Sequence, residues 1–567
     1  MSATQACISG LDLLRSTPGV SEASEAGPGG LPCGIAAAAT AVEVIRELGA
    51  AGFDCLTLLT AEETLVPEDA TEEAPSGVTV VYGLKNRGDG TTLLLKVPLP
   101  EAALTAPSVS GLWAGASPLE REVFDLFGVV FTGHPGLTRI VLRDDFEGHP
   151  LRKGFDMGDG VSAEAVHVAA GFHGDSHLQR GGIADGSDLA PVASAADFED
   201  PELRSERLVL SMGPQHPSMH GVLHLWLALD GENVVAARPT HGYLHRCIEK
   251  LCESCDYRAC TALLDRCDYV SSFHTELAHV LAVEELCDIG TTPKADYLRV
   301  IMSELVRITS HHTWYAAAGL DTGALTPFLY AFIDRELILD FFEEITGGRM
   351  MFNYFRPGGV KEDLPVGTAA RIVEYLKGFD RAVDEYESLL TNNEIFRART
   401  RGVGILSKDR IADCCVTGPM ARASGVDIDL RRDTPYAAYD RIPVKVALGE
   451  AGDTFDRYTV RIAEMRESAR IALEALEGLP EGPHLAEEVP RTIKPPRGTA
   501  FRSVESPRGE LGVYLVSDGS AQPWRLKVRS PAFSNLHSAG PLLEGSRVGD
   551  VVAILGSVDV VMGEIDR

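Results

Sequence analysis

Hydrophobic and polar residues follow two different patterns along the chain. Between residues 55 and 97, short apolar runs bounded by turn residues predict three β-strands, at Cys55–Leu59, Val78–Tyr82 and Thr92–Val97. The alanine-rich run from Ile35 to Gly49 has helical spacing and ends on a glycine, which predicts a helix. Residues 1–34 are rich in Gly, Ser, Ala and Pro without a period, so we predict that they are disordered.

Longer helical patterns dominate after residue 207. Apolar spacing predicts four long helices, at 293–318, 326–346, 367–392 and 456–479. Strand-like runs flank these helices, at 208–212, 222–229, 512–516, 524–528 and 551–555. We therefore predict an α+β fold with five parts: the disordered start, a small α+β domain at 35–135, an extended arm at 136–155, a Gly/Ala/Ser/Asp-rich linker at 156–206, and a helical bundle with small flanking sheets at 207–567.

Charge and hydropathy narrow the function classes. The chain has 567 residues and a net charge of −30, which argues against nucleic acid or a bare anionic lipid surface as partner. No apolar run approaches the roughly 18 residues that span a bilayer. The first residues show no basic segment followed by an apolar one, so no secretory signal is predicted. A role at a membrane would therefore depend on partner proteins.

The cysteines are predicted to be reduced, because the chain has an odd number, 11, and no visible secretory signal. Six of them lie between Cys247 and Cys287. The pair Cys252-Glu-Ser-Cys255 has the spacing of half a zinc or iron–sulfur site. The alternative is that these thiols are small buried side chains on helices, and it is favoured because no second well-spaced pair follows.

Three distant segments carry candidate proton chemistry. Gly213-Pro-Gln-His-Pro-Ser-Met-His-Gly221 places two histidines in a turn, Asp265-Arg-Cys-Asp-Tyr-Val270 carries a tyrosine, and Asp559-Val-Val-Met-Gly-Glu-Ile-Asp-Arg567 is acidic. A phenol and an imidazole are neutral or switchable proton donors near neutral pH, so the segments together predict a proton-donating site. The structural alternative is that the histidines brace a turn and the tyrosine is a core aromatic.

The spacing of His216, His220 and His224 also resembles a metal-binding helix face. Pro217 and Gly221 break any such helix, so no metal site is predicted there.

Two sets of motifs resemble a known family. Glu120–Gly128, Gly133–Pro135 and Asp145–Lys153 resemble the 30-kDa (C) subunit of bacterial respiratory complex I, NADH:quinone oxidoreductase. After residue 208 the chain resembles the 49-kDa (D) subunit, in Gly213–Pro217, Gly242–Arg246, Leu320–Phe332, Tyr354–Gly359, Ala423–Asp427, Glu510–Gly519 and Gly563–Arg567. The order C then D on one polypeptide is the fused form found in some bacteria.

The resemblance implies that the larger region shares its fold with the large subunit of nickel–iron hydrogenases. Such an enzyme holds its two metals with two Cys-x-x-Cys pairs. The matching positions here are Cys267-Asp-Tyr-Val270 and Val561-Met-Gly-Glu564, which contain a single cysteine. One thiolate cannot hold that centre, so the hydrogenase alternative is rejected.

The resemblance also implies roles for individual residues. Tyr269 and His220 match the positions that hydrogen-bond the quinone headgroup. Asp321 matches the position that pairs with that histidine, which orients it and favours its charged form. These three residues are the candidate catalytic group.

A second group is implied near the quinone or a neighbouring cofactor. Arg246 and Arg266 match arginines beside the terminal iron–sulfur cluster of the adjacent B subunit, and His216 is placed with them. A fixed positive charge there stabilises an added electron. Met351 stands where the family often has a histidine that is linked to the pH dependence of the cluster's potential, so we predict weaker proton coupling.

The implied complex assigns the remaining chemistry elsewhere. Quinone is the substrate, this chain holds no prosthetic group or metal, and the 4Fe-4S cluster, FMN and NADH belong to partner subunits. The implied partners are the B, I, E, F and G subunits and the membrane arm, with the chain peripheral on the cytoplasmic side of the bacterial membrane. The chain shows no Gly-x-Gly-x-x-Gly fingerprint and no P-loop, which is consistent with that division.

Two alternative functions stay open at this point. One is a related membrane complex that takes electrons from ferredoxin or formate. The other is a docking subunit whose quinone site has decayed, which the unusual cysteines suggest.

Overall fold

A computed structural model of the protein describes residues 3–25, 31–65, 77–155, 208–214 and 221–567. The first part of the chain forms three helices and seven strands in the order α1 (Ala3–Ser16), β1 (Val20–Glu25), β2 (Pro32–Ala36), α2 (Ala41–Ala50), β3 (Cys55–Glu63), β4 (Gly77–Lys85), β5 (Thr92–Pro100), β6 (Thr105–Pro107), α3 (Ala116–Phe127) and β7 (Val130–Thr132). We call residues 3–155 the small region.

A five-stranded sheet is the centre of the small region, with strand order β1-β2-β5-β4-β3. Strands β2 and β5 run parallel, and the other neighbours are antiparallel. Every residue of β4 is buried, as expected for a central strand covered on both faces. Helix α2 buries an apolar side formed by Ala41, Val44, Ile45 and Leu48.

The second part, residues 208–214 and 221–567, is called the large region. Its strands are β8 (Leu208–Met212), β9 (His224–Asp230), β10 (Asn233–Thr240), β11 (Phe355–Arg356), β12 (Gly359–Val360), β13 (Gly498–Ser506), β14 (Gly509–Ser517) and β15 (Arg525–Arg529). Its helices are α4 (Ile248–Cys252), α5 (Tyr257–Leu264), α6 (Ser272–Cys287), α7 (Pro293–Asp321), α8 (Leu325–Thr346), α9 (Thr368–Tyr386), α10 (Glu394–Thr400), α11 (Lys408–Asp413), α12 (Pro419–Ala423), α13 (Leu430–Asp433), α14 (Thr454–Glu477), α15 (Pro531–His537), α16 (Ala539–Leu543), α17 (Val551–Val558) and α18 (Met562–Asp566).

Helix α7 is the axis of the bundle. It begins with Pro293 behind Thr292, whose hydroxyl accepts the Ala295 N–H at 3.1 Å, so the first turn is capped. The helix packs against α8, α14 and α17, and 21 of its 29 residues are buried. A helix buried on this many sides can carry functional polar groups in its interior only when they are partnered.

The two regions share a buried polar interface. Lys85 of β4 lies 2.6 Å from Glu510 of β14, and Tyr514 donates to Glu62 of β3 at 2.7 Å. Helix α3 contributes Glu122, which lies 2.6 Å from the ammonium of Lys527 and 2.7 Å from the guanidinium of Arg567. The small region is therefore fastened to the segment that ends with α18.

Residues 136–155 contain no helix or strand and lie on neighbouring elements. Oδ2 of Asp125 in α3 accepts the N–H groups of Ile140, Val141 and Leu142 at 2.9–3.0 Å. Lys153 reaches across to Glu253 of the large region at 2.8 Å. Side-chain contacts thus replace the missing ladder hydrogen bonds of this segment.

The structure confirms most of the predicted elements and the α+β fold class. The three strands of residues 55–97 are present, each longer than predicted, and the four long helices appear as α7, α8, α9 and α14. Within the described part of the chain, no helix combines the length and the apolar character needed to span a membrane.

Three predicted elements are wrong. Residues 551–555 form the start of helix α17 instead of a strand, because a short apolar run that is buried on all sides has no periodicity to separate the two. The helix predicted at Ile35 starts only at Ala41, since Ile35 pairs with Lys96 in the parallel ladder. Residues 3–25 and 31–34, predicted to be disordered, form α1, β1 and the start of β2. The predicted linker at 156–206 lies outside the described residues.

Candidate functional site around Tyr269

Tyr269 lies in the turn between α5 and α6, against the last helix of the chain. A Cβ atom placed on Gly563 of α18 would lie 3.2 Å from Cε1 of the Tyr269 ring, so the glycine lets the ring approach the backbone. A Cβ on Gly221 would lie 4.0 Å from the Tyr269 hydroxyl oxygen. Burial raises the pKa of Tyr269, partly opposed by the charge of Arg508, so the phenol keeps its proton at neutral pH and can donate it.

A buried arginine stands behind the tyrosine. Nη1 of Arg508 lies 2.8 Å from Asp268, and Nη2 donates to the Ser310 hydroxyl of α7 at 3.2 Å. Nε of Arg508 lies 3.7 Å from Asp559. Burial lowers the pKa of Arg508, but the charges of Asp268 and Asp559 outweigh it and raise the pKa, so this guanidinium is a permanent positive charge.

The carboxyl groups around Arg508 share that single cation. Burial raises the pKa of Asp268 even though Arg508 opposes the shift. Burial and the charge of Asp268 raise the pKa of Glu564 to about 8. One guanidinium therefore does not keep these carboxyls fully ionised, and the group can hold protons close to Tyr269.

Arg246 and Arg266 lie on the exposed side of the same turn. Nη2 of Arg246 donates to the carbonyl oxygen of Arg266 at 2.6 Å, and its backbone N–H donates to the carbonyl of Arg567 at 3.3 Å. Both side chains are exposed. The sequence-predicted pair is thus brought together beside the segment of Tyr269, where its charge can act on a neighbouring protein.

Asp321 ends the helix that also carries Ser310, a partner of Arg508. It is the last residue of α7, eleven positions after Ser310, which corresponds to about 16 Å along the helix axis. The carboxylate lines a cleft with about 280 Å³ of empty space, whose walls include Trp314, Phe396 and Tyr458.

His216 and His220 fall outside the described residues, so their side chains are not placed. Gly221, the first described residue after them, lies beside Met562 and the Tyr269 hydroxyl. The contact of Gly221 brings the end of the predicted histidine turn to the tyrosine.

A second set of buried charges lies in the helical bundle. Arg422 lies 2.8 Å from Glu464 and 2.7 Å from Glu505, and Glu464 accepts from His311 at 3.0 Å. Arg431 lies 2.7 Å from Asp429 and 3.1 Å from Glu304. Burial raises the pKa of Asp429, but the two arginines outweigh it and lower the pKa to about 2. We call these residues the bundle network.

His274 connects the network to the turn of Tyr269. Its Nε2 lies 3.2 Å from Nη2 of Arg307, and its Nδ1 lies 2.7 Å from the Ser271 hydroxyl. Arginine only donates, so Nε2 is the acceptor and Nδ1 carries the hydrogen. Burial and the charge of Arg307 lower the pKa of His274 well below its usual value, so the imidazole is neutral.

Sequence reasoning missed Arg508 and Asp268, although it had singled out the segment that contains Asp559 and Glu564. A signal was available for Asp268, because it directly precedes the predicted tyrosine. Arg508 sits in the turn between β13 and β14, where arginine is ordinary, and nothing in the sequence pattern separates it from a surface residue.

Comparison with known proteins identifies the family. The model of the respiratory-chain NADH dehydrogenase 49 Kd subunit matches residues 321–493 and 486–567, and that of the 30 Kd subunit matches residues 35–161. The chain is 46% identical to the NADH-quinone oxidoreductase D subunit of Geotalea uraniireducens, over 64% of this chain and 99% of the relative. It is 46% identical to the D subunit of Desulforamulus reducens over 64% and 99%. It is 45% identical to the NAD(P)H-quinone oxidoreductase H 1 subunit of Gloeobacter violaceus over 65% and 99%.

The α+β fold and the site around Tyr269 thus belong to a subunit of a respiratory dehydrogenase. The chain is a member of the complex I 49-kDa subunit family and carries a 30-kDa subunit domain on the same polypeptide.

Proposed function

We propose that this chain is a fused 30-kDa and 49-kDa subunit of a proton-translocating NADH:quinone oxidoreductase and forms part of its quinone-reducing site. The observation that carries the proposal is the match to the NADH-quinone oxidoreductase D subunit over 99% of that relative, with a 30-kDa domain on the same chain. The relatives' names favour NADH as the electron source over ferredoxin or formate.

Reduction of a quinone to a quinol takes two electrons and two protons. Tyr269 supplies one proton from its phenol, and its raised pKa keeps that proton in place until the quinone oxygen becomes basic. His220 supplies the second proton, and Asp321 orients that imidazole from the end of α7. His216, from the same predicted turn, is proposed to bind the quinone headgroup.

The positive charge of Arg508 acts on the reduced quinone. It lies behind Tyr269 in a buried setting, so it stabilises negative charge that develops on the quinone oxygen and on a tyrosinate. Asp268 fixes the guanidinium in this position. Reprotonation of Tyr269 is favoured by the nearby carboxyl of Glu564, whose pKa is about 8.

Electrons are proposed to enter from a neighbouring subunit. Arg246 and Arg266 form an exposed cationic pair on the outer side of the Tyr269 turn. Such a pair fits the terminal 4Fe-4S cluster of the B subunit, because a fixed positive charge stabilises the reduced cluster. FMN, NADH and ion translocation belong to the E, F, G and I subunits and the membrane arm in this proposal, with the chain peripheral on the cytoplasmic face.

The likeness of the large region to the hydrogenase large subunit stays a prediction. It is supported by the helical bundle with flanking sheets and by the position of the Tyr269 turn against α18, the two segments that correspond to the thiolate pairs. Bound nickel or hydrogen evolution in the purified protein would contradict the proposed function.

The proposal is tested with Tyr269→Phe in the assembled complex. Loss of the phenol proton should lower NADH:quinone activity by about 100-fold or more, while NADH:ferricyanide activity, which bypasses the quinone, is unchanged. His220→Ala should act in the same direction. Tyr330→Phe, at an exposed tyrosine of α8, is the matched control and should leave both activities unchanged.

The same experiment distinguishes the proposed function from the remaining alternative, a docking subunit. If Tyr269→Phe and His220→Ala keep full quinone reductase activity in an assembled complex, the chain is a docking subunit and the proposed site is wrong.

A further inference from the structure

A cysteine and a histidine face each other at the boundary between the two regions. Sγ of Cys247 lies 3.4 Å from Nε2 of His245, and both residues are half-buried. Nδ1 of His245 lies 2.6 Å from the carbonyl oxygen of Asp566. A carbonyl oxygen only accepts, so Nδ1 carries a hydrogen and donates it, and Nε2 is left to share a proton with the thiol.

This arrangement favours the protonated imidazole of His245. Burial lowers the pKa of His245, but the hydrogen bond and charge of Cys247, together with the contacts of Asp566, raise it to about 9. When both ring nitrogens are protonated, Nε2–H donates to the thiolate of Cys247. The thiolate is the reactive form of cysteine, and a nucleophile beside a base that a third group orients is an activated nucleophile.

Two other cysteines of the same stretch are in a different setting. Burial raises the pKa of Cys267 to about 12 and that of Cys287 to about 11, so these thiols keep their protons. Cys287 is half-buried like Cys247, which makes it a matched comparison for reactivity at similar exposure.

Cys247 also has space around it. It lines a cleft with about 330 Å³ of empty space, together with His245. Apolar side chains of the small region form one wall, including Leu126, Val141 and Leu151. The enclosed part of the cleft is only about 10 Å³, room for one water molecule, so an adduct on the sulfur extends into the open side of the cleft.

We propose that Cys247 is a thiol-modification site for low-molecular-weight disulfides such as glutathione disulfide, with His245 as its proton partner. The Cys247 thiolate attacks one sulfur of the disulfide, a mixed disulfide forms, and the S–S bond of the reagent breaks. The released thiolate takes the proton from the His245 imidazolium. The thiol is oxidised to a disulfide, and the leaving half of the reagent takes the two electrons.

The adduct is inferred to slow quinone reduction, and this part rests on the proposed function. Cys247 directly follows Arg246, whose side chain donates to the carbonyl of Arg266 and whose backbone donates to that of Arg567. Formation of the mixed disulfide draws the sulfur of Cys247 away from His245. The contact of His245 with Asp566 of α18 is then disturbed as well. Both shifts act on segments that contact Tyr269, and a small displacement of this proton donor lowers the reaction rate strongly.

The site is tested by treating the assembled complex with glutathione disulfide and following each cysteine by peptide mass spectrometry. Cys247 should react at least about tenfold faster than Cys287, because the imidazole of His245 lies 3.4 Å from its sulfur and can take its proton. His245→Asn keeps an N–H donor for the Asp566 carbonyl but removes the imidazole, and should slow Cys247 by about tenfold. Cys287→Ser should leave the Cys247 rate unchanged. Equal rates at Cys247 and Cys287 in the unmodified protein would overturn the site without any variant.

Regulation is tested separately by activity. The adduct should lower NADH:quinone activity by about tenfold, with recovery after dithiothreitol, and Cys247→Ser should be resistant to glutathione disulfide. An adduct without a change in activity would overturn the regulatory part alone. Because mass spectrometry reads the modification directly, failure of the quinone assignment would leave the test of the site intact.

Discussion

The bundle network and the group formed by Arg508, Asp268, Asp559 and Glu564, which we call the Tyr269 face, both bury many charges close together. The pKa values of carboxyl groups in these two places shift in opposite directions. In the bundle network, arginines outweigh burial and lower the pKa values of Glu304, Asp429 and Glu464. At the Tyr269 face, burial outweighs the arginine and raises the pKa values of Asp268 and Glu564.

The number of cations for each carboxyl group explains the difference. Asp429 contacts both Arg431 and Arg422, whereas Arg508 is shared between Asp268 and Asp559 and also faces Glu564. Glu505 in the bundle follows the same rule, because it shares Arg422 with other acids and its pKa is raised. Carboxyl groups that contact two basic residues stay ionised and make a rigid scaffold, and those that contact one arginine or none can exchange protons.

Removal of one carboxylate from the bundle network should have the largest effect on stability. Glu464→Ala leaves Arg422 and His311 buried without their shared partner, which should cost about 3–5 kcal/mol of unfolding free energy. Thermal melting of the full-length chain would measure the loss. Glu474→Ala removes the exposed partner of Arg470 and should leave the melting temperature unchanged. Similar melting of the two variants would refute a structural role for the network.

Removal of the arginine from the Tyr269 face should affect activity more than stability. In Arg508→Met, Asp268 and Glu564 can take up protons, so the variant should melt above Glu464→Ala. NADH:quinone activity should fall by about 100-fold, because negative charge on the quinone loses its partner. Melting curves at pH 6.5 and activity of the assembled complex test the two halves. If Arg508→Met unfolds as readily as Glu464→Ala, the proposed difference between the bundle network and the Tyr269 face is wrong.

The smallest expected effect is a change in how the stability of the folded chain depends on pH. The pKa of Glu564 is raised from 4.5 to about 8, so between these pH values the folded chain binds a proton that the unfolded chain has released. Stability from this group is therefore complete below pH 4.5 and falls as the pH rises to about 8. Glu564→Gln should flatten this slope in melting curves at pH 5, 6, 7 and 8. An unchanged slope would show that Glu564 is ionised throughout.

Helices and strands could be predicted from the sequence wherever the hydrophobic residues of a segment had a clear spacing. The long helices α7, α8, α9 and α14 were predicted to within a few residues, because their length gives many turns of evidence. Helix α17 was predicted as a strand, since Val551–Leu555 is apolar at every position and is buried at all of them except Val552. Ile35 was predicted as helical because its partner Lys96 lies 61 positions away, beyond the reach of local propensity.

The candidate site was predictable only in part, for a related reason. Tyr269, Arg246 and Arg266 were found through motifs, and the structure places them in neighbouring segments. Arg508 was missed because its meaning depends on Asp268, which is 240 positions away in the sequence. A buried ion pair of this range has no local signature, so sequence reasoning finds the residue types but not their partners.

The contact of Glu122 with Lys527 and Arg567 has a consequence for how such a protein is assembled. In a two-chain version, this desolvated cluster would have to form in a bimolecular encounter and would depend on protein concentration. On one polypeptide the encounter is intramolecular, with an effective concentration that reaches about the millimolar range for short flexible tethers. The covalent link therefore lets polar groups that bind weakly as separate chains stay docked while the remaining subunits arrive.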